Sequence, residues 1–166
     1  FIEDTGASHS THMTSIAADS ITITADDISN ITANVGAASL ALSFGNTSVA
    51  LTIGVSLARN SIDNDISTYI SGIDTVTSHS AGVVLKATNS AIISTESVAV
   101  SLAVSFGSTA LGLAGAGAEA TNVILTNTSA YLKDTSATSE TTVEIAAKNT
   151  GTITATVAAV AAAAGF

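Results

Sequence analysis

The residues whose types could do chemistry are few and scattered. His9 and His12 stand three apart, with Glu3 and Asp4 close by. Imidazole and carboxylate can ligate zinc, but a site needs a third ligand held in geometry, and the flanking residues are Ser, Thr and Gly. The expectation is a solvated polar loop, with His79 exposed in a later connector. Asp63, Asp65 and Asp74 could offer calcium its oxygen ligands. The corresponding stretch one period later reads Leu125-Thr126-Asn127, so the acids do not recur, and calcium stands as an alternative only. No Gly-x-Ser-x-Gly elbow presents any of the many serines as a nucleophile. Asp26-Asp27 does not read as a paired-carboxylate centre, because Thr88-Asn89 and Lys148-Asn149 occupy the equivalent places. No catalytic residue and no cofactor are assigned, and an enzyme is not expected. Asn46 and Asn127 each begin an Asn-Thr-Ser acceptor pattern, which chance supplies readily in so Ser/Thr-rich a chain. Thr22 and Thr24, with Thr152, Thr154 and Thr156, hint at a flat ice-binding rank, but Val84 and Lys86 interrupt it.

Composition narrows the classes further. Only 10% of the 166 residues are charged and only 4% aromatic, although 46% are hydrophobic. The interior is therefore expected to be aliphatic and small. A net charge of −9 with four basic residues excludes a nucleic-acid surface, which needs clustered Lys and Arg. Cysteine is absent, so disulfides and thiolate metal sites are impossible. Proline is absent too, leaving every backbone N–H free for a β-ladder. The apolar run 157–165 is too short and too poor in large side chains for a spanning helix, so no membrane span is expected.

The elements that must position these side chains are read from residues 37–60, AASLALSFGNTSVALTIGVSLARN. Leu40, Leu42 and Phe44 alternate with Ser39, Ala41 and Ser43. After the Gly45–Ser48 turn, Val49, Leu51, Ile53, Val55 and Leu57 alternate with small residues. A period of two means strand. One face is large and aliphatic, the other small, and the small face allows a second sheet close approach.

The stretch then recurs. At an offset of 62, Phe44 falls on Phe106, Asn60 on Asn122, Tyr69 on Tyr131 and Ile21 on Val83. A further copy follows a connector two residues shorter, placing Asn89 on Asn149 and Phe106 on Phe166. Phe1-Ile2 reads as the end of a preceding copy. Fixed-period self-similarity marks a repeat architecture. The chain divides into 1–20 as the end of one repeat and its connector, 21–82, 83–142, and 143–166 as the start of another, in one continuous array. Strands are expected at 21–25, 28–33, 35–44, 49–59 and 62–70, with a turn at Asp26-Asp27 and polar connectors at 1–20 and 71–82. The second copy repeats the scheme at 83–87, 91–95, 98–106, 111–120 and 123–132, and the third begins at 142–146 and 152–164.

The fold class expected is all-β: a parallel, β-helix-like solenoid of about 62-residue repeats, with stacked antiparallel hairpin units as the alternative. Like residues would stack as Phe44/Phe106/Phe166, Tyr69/Tyr131, Asn60/Asn122 and Asn89/Asn149, the asparagines as amide ladders. Leu51 and Leu102 are expected in the core, where an aspartate would disrupt neighbouring copies, whereas His9→Ala would be silent. The small face, Ser39, Ala41, Ser43, Ala99, Ser101, Ala103 and Ser105, is read as a packing or association face. It closes inside the unit or joins neighbouring chains.

The residues ITITA at 21–25, the Val/Ala/Gly-rich stretch after 35, Asn60-x-Ile62 and Tyr69-Ile-Ser-Gly72 recur at 83–87, 98–120, 122–124 and 131–134. This pattern resembles repeats of very large secreted bacterial proteins, the filamentous-haemagglutinin-like or leukotoxin-like adhesins. The resemblance implies an extracellular, cell-surface β-scaffold, a fibre or stalk for adhesion, display or matrix assembly. Its partners would be neighbouring repeats or other copies. It carries over no catalytic residue. A ligand-binding solenoid for calcium, carbohydrate or ice is the alternative.

Overall fold

The computed structural model describes residues 1–3 and 14–166. Among them every regular element is a strand: β1 (Ile2–Glu3), β2 (Ser15–Asp27), β3 (Asn30–Phe44), β4 (Thr47–Ser71), β5 (Thr75–Phe106), β6 (Thr109–Lys133), β7 (Ser136–Ser139) and β8 (Val143–Gly165). Two-residue alternation with Val, Ile and Thr favours the pleated backbone, and the missing proline leaves the ladders uninterrupted. The alanine-rich end of β8 is extended despite alanine's helix propensity, because its backbone is paired: the Phe166 N–H donates to the Ser105 carbonyl at 2.9 Å.

The strands form two sheets, one ordered β1-β4-β6 and one ordered β2-β5-β3, with β7 and β8 also paired to β5. The registers of β1 on β4 and of β2, β3 and β7 on β5 are all parallel. This removes the antiparallel hairpin alternative: Phe44 lies opposite Phe106, not opposite a residue just past its own turn. The register of β3 is constant from Asn30 opposite Ile92 to Phe44 opposite Phe106, a separation of 62 residues. In β2, Ser15 faces Thr75 while Ser20 faces Gly82, and a bulge between Ala18 and Ser20 absorbs the difference.

Several expected boundaries differ. The segment before residue 20 is partly strand, since Ile2 pairs with Ile70 and Ser15 with Thr75. β2 continues through Asp26-Asp27, so no turn lies there. Residues 28–33 and 35–44 are not two strands, because β3 begins at Asn30 and runs unbroken. The connector at 71–82 shrinks to a break after Ser71, and β5 then runs 32 residues. The Thr and Val of that segment are good strand formers, and its polar side chains do not break the strand: Ser78 is fully buried and donates to the Asp19 carbonyl at 2.8 Å. The chain turns where the backbone demands it: Gly72 has φ 73° and Asp134, 62 residues on, has φ 50°. Glycine and aspartate are among the residues that tolerate this left-handed region best.

The chain packs as two compact units. The first comprises Phe1–Ser29, Ile62–Ala91 and Ile124–Gly151; the second comprises Asn30–Ser61, Ile92–Val123 and Thr152–Phe166. Each takes a section from successive sequence copies, so a copy in sequence is not a compact body in space.

The first unit is built conventionally. Ile21, Ile70, Ile73, Val76, Val83 and Leu85 form a buried cluster, flanked by Ile2, Ile16, Ile23 and Leu132. Fourteen of the chain's seventeen charged residues belong to its segments, the remaining three being Arg59, Glu96 and Glu119.

The second unit has the opposite arrangement. Its buried residues include Ala50, Thr52, Ser56, Ala58, Ser97, Ala99, Ser101, Ala103 and Ser105. Its large residues point outward: Leu51 is 62% exposed, Ile53 67%, Leu42 56% and Leu102 41%. The expected core placement of Leu51 and Leu102 is therefore wrong. Period two dictates that large and small residues take opposite faces, but not which face turns inward. The inner faces approach too closely for anything large. A Cβ on Gly112 would lie 2.7 Å from the Ala164 carbonyl oxygen and 3.1 Å from that of Ala103; one on Gly54 would lie 3.0 Å from that of Val100.

Candidate functional site

The side chains that form organised constellations are ranks, built because parallel pairing in constant register sets like upon like. In the second unit, Phe44 stacks on Phe106 with ring centroids 5.2 Å apart, and Phe106 on Phe166 at 5.5 Å. In the first, Tyr69 stacks on Tyr131 at 5.1 Å, and Phe1 stacks on Tyr69 at 4.8 Å. Rings stacked this way cover one another's faces and leave edges to solvent. The end rings Phe44 and Phe166 each stack on one neighbour and are 72% and 71% exposed.

The asparagines are similarly joined. Asn60 Nδ2 donates to Asn122 Oδ1 at 2.8 Å and also to Thr95 Oγ1, which itself donates to Asn122 Oδ1. In the first unit Asn89 Nδ2 donates to Asn149 Oδ1 at 2.8 Å, and Asn149 Nδ2 continues to Thr126 Oγ1. Asn89 is fully buried, and its Oδ1 has no hydrogen-bond partner. Its register partner one strand away is Asp27, whose carboxylate accepts from Ser29 Oγ at 2.9 Å and Asn64 Nδ2 at 2.7 Å. A carboxylate cannot donate to the Asn89 oxygen, so the amide ladder stops there.

The small-residue face turns inward on β5. Ala99 and Ala103 are fully buried and Ser101 nearly so, while Ser39 and Ser101 share a hydrogen bond at 2.8 Å. Across the interior of the second unit, hydroxyls reach main-chain carbonyls: Ser56 Oγ to Val35 at 3.0 Å, Ser101 Oγ to Gly115 at 2.6 Å, Ser105 Oγ to Ser48 at 2.8 Å. Serine is short enough for the close approach and satisfies its own polarity on arrival. The β5 part of this face is thus internal, while Ser39, Ala41 and Ser43 on β3 are half-buried.

The metal candidates do not converge. Asp63 is exposed, Asp65 accepts from Asn127 Nδ2 at 3.3 Å, and the Asp74 carbonyl accepts the Ser136 N–H at 3.0 Å. Among the described residues no three His, Cys, Asp or Glu side chains gather to hold a metal ion. His9, His12 and Asp4 lie outside the described residues. His79 is exposed. Thr22 and Thr24 are exposed, but the neighbouring strand places Lys86 beside them, paired with Glu144 at 3.0 Å. An open depression of about 260 Å³ is lined by Asn34, Val35, Gly36, Glu96 and Val98, with Glu96 its only ionisable group.

The titration of Tyr69 is perturbed. Desolvation pushes the Tyr69 hydroxyl above its ordinary 10.0, and the Glu3 carboxylate, which accepts its proton at 3.1 Å, pushes the same way.

What sequence reasoning missed is the outward aliphatic surface of the second unit. The signal was present in the lack of charge over residues 36–58 and 97–118, which deprives both faces of a polar side. No described helix is long and apolar enough to cross a membrane, which leaves strand-built spans unaddressed. The class established is an all-β chain of strands paired in parallel. No family model, curated protein or solved structure matches it.

Proposed function

We propose that the chain is a structural segment of an extracellular bacterial fibre, stalk or adhesin, a β-solenoid whose 62-residue coils stack to give a stiff scaffold for adhesion, display or matrix assembly. The observation that carries this reading is the register of β3 on β5, fifteen consecutive pairs at one separation, with phenylalanine over phenylalanine at its end. The same logic accounts for the Asn60/Asn122 and Tyr69/Tyr131 pairs. The resemblance of the residue pattern to filamentous bacterial adhesins supplies the location and the role. A scaffold also needs no reactive centre, and its polar groups are spent on cohesion: hydroxyl to carbonyl, amide to amide.

The test has two arms. Removing residues 21–82 in frame deletes one whole coil. The shortened chain should keep a cooperative melt and β-rich circular dichroism, whereas deleting 21–51, half a coil, should destroy both. An antibody raised against the segment should label intact cells that make the full-length protein. Equal damage by both deletions sinks the solenoid; strictly intracellular antigen sinks the surface scaffold. A saturable rise in melting temperature with calcium or an oligosaccharide would instead favour the ligand-binding alternative.

A further inference from the structure

We propose that the head of the asparagine ladder in the first unit, where Asp27 meets Asn89, is a binding site for one monovalent alkali cation, sodium or potassium. The inference rests on the register of β2 on β5 and the side-chain contacts beside it, and stands whatever role the scaffold has.

The site is built by parallel pairing. Asp27, at the end of β2, lies opposite Asn89 of β5, and Ser29 and Asn64 close around the Asp27 carboxylate. All four residues belong to the first unit. Asn89 Nδ2 is committed to Asn149 of β8 at 2.8 Å. A strand has two neighbours, so an amide that gives its nitrogen to one side turns its oxygen to the other, here toward Asp27. Asn89 is fully buried, and no donor reaches that oxygen. The donors of the cluster are spent on Asp27. Ser29 Oγ donates to its two oxygens at 3.0 and 2.9 Å, and Asn64 Nδ2 reaches Asp27 Oδ2 at 2.7 Å and Ser29 Oγ at 2.9 Å. The cluster therefore holds more acceptors than donors, and one full negative charge. A buried oxygen without a partner costs stability, and a carboxylate drawn partly out of water costs more unless positive charge comes to it. One cation answers both.

The ligand atoms select its kind. Carboxylate, amide and hydroxyl oxygens suit a hard cation. Charge then sets the valence. Calcium takes about six to eight oxygens, and the number of charged ligands tunes its affinity. Asp27 is the one carboxylate of this cluster, since Asp63 is exposed and Asp65 accepts from Asn127. A single carboxylate among neutral oxygens balances a single positive charge. The surroundings favour the ion's arrival: the segments of the first unit carry eleven acids against three lysines, and Lys86 is paired with Glu144. Such a field concentrates cations around it. Asp27, Ser29 and Asn64 are half-buried, so the ion reaches the cluster from water without opening the core.

The test is thermal melting in sodium, potassium or tetramethylammonium chloride at one ionic strength. Sodium or potassium should raise the wild-type melting temperature saturably above its tetramethylammonium value. At about three times the dissociation constant, the folded-to-unfolded ratio should be about four-fold higher. Asp27→Asn should abolish that difference, because its amide donates to the Asn89 oxygen in place of the ion, and in tetramethylammonium it should melt above the wild type. Asp63→Asn, which removes an exposed acid of the same unit, should leave the difference intact. Equal wild-type melting in all three salts overturns the proposal. So does a difference that survives in Asp27→Asn or vanishes in Asp63→Asn, and so does an Asp27→Asn chain that melts below the wild type in tetramethylammonium. A saturable rise with calcium chloride, absent with sodium and potassium, assigns a divalent ion and overturns it too.

Discussion

Gly112→Ala separates an interior made of small residues from an ordinary aliphatic core. The added methyl would lie 2.7 Å from the Ala164 carbonyl oxygen, 3.1 Å from that of Ala103 and 3.1 Å from the Ala164 nitrogen. All three are backbone atoms tied into ladders, so none can rotate away as a side chain would. Relief requires two sheets to part by several tenths of an ångström. Parting them also stretches the hydroxyl bridge from Ser101 Oγ to the Gly115 carbonyl, now 2.6 Å. Overpacking of this kind costs about 1–3 kcal/mol. Gly117→Ala, in the same strand, is the control, since a Cβ there meets nothing within 4 Å. An open strand glycine replaced by alanine gains about 0.4–1 kcal/mol by restricting the unfolded chain. The two single-methyl variants should therefore differ by roughly 2.5 kcal/mol in opposite directions from wild type. In urea, with a slope near 2 kcal/mol per molar, the midpoints should lie about 1 M apart. Coincident midpoints would refute the close approach of the sheets and with it the inward placement of the small face.

Two further outcomes follow from polar contacts. Asp27→Asn should stabilise the chain by about 1 kcal/mol, because its new amide can donate to the orphaned Asn89 oxygen while its carbonyl still accepts from Ser29 and Asn64. Thermal melting checks this, and a lower melting temperature would count against the broken-ladder account. Tyr69 should ionise above 10.0 in an alkaline titration followed by phenolate absorbance, and Glu3→Gln should bring it back toward that value. The sign is that of a raised folded-state pKa. The stabilisation is present below 10.0 and is lost as pH rises through the higher folded value, so Glu3→Gln should lessen the alkaline loss of stability.

Read alone, the residues carried the strand periodicity, the interval of 62 and the partners it implies. These are one-dimensional facts: alternation shows in any strand of the chain, and an offset that sets Phe44 on Phe106 needs only letters to be seen. Strand direction was not legible, because the Gly45–Ser48 stretch suits a hairpin as well as a bend between sheets. Only the ladder, which sets Asn30 against Ile92 rather than against a nearby strand, decided for parallel pairing. Boundaries were misjudged where Thr and Ser looked like connectors, as in β5, since side-chain polarity does not set backbone shape: Ser78 is fully buried within that strand. The larger surprise was the sense of the faces in the second unit. Alternation tells which residues share a side; it does not tell which side meets another sheet. Ordinary hydrophobic reasoning would turn Leu51 and Leu102 inward, and in the first unit that reasoning holds for Ile70 and Leu85. In the second, backbone came to within contact distance of backbone at Gly112 and Gly54, serine hydroxyls found carbonyls across the gap, and no volume remained for leucine. Letters in a row thus determined the strands and their partners, while the distance between sheets, a property of the assembled backbone, decided which residues would be left facing out.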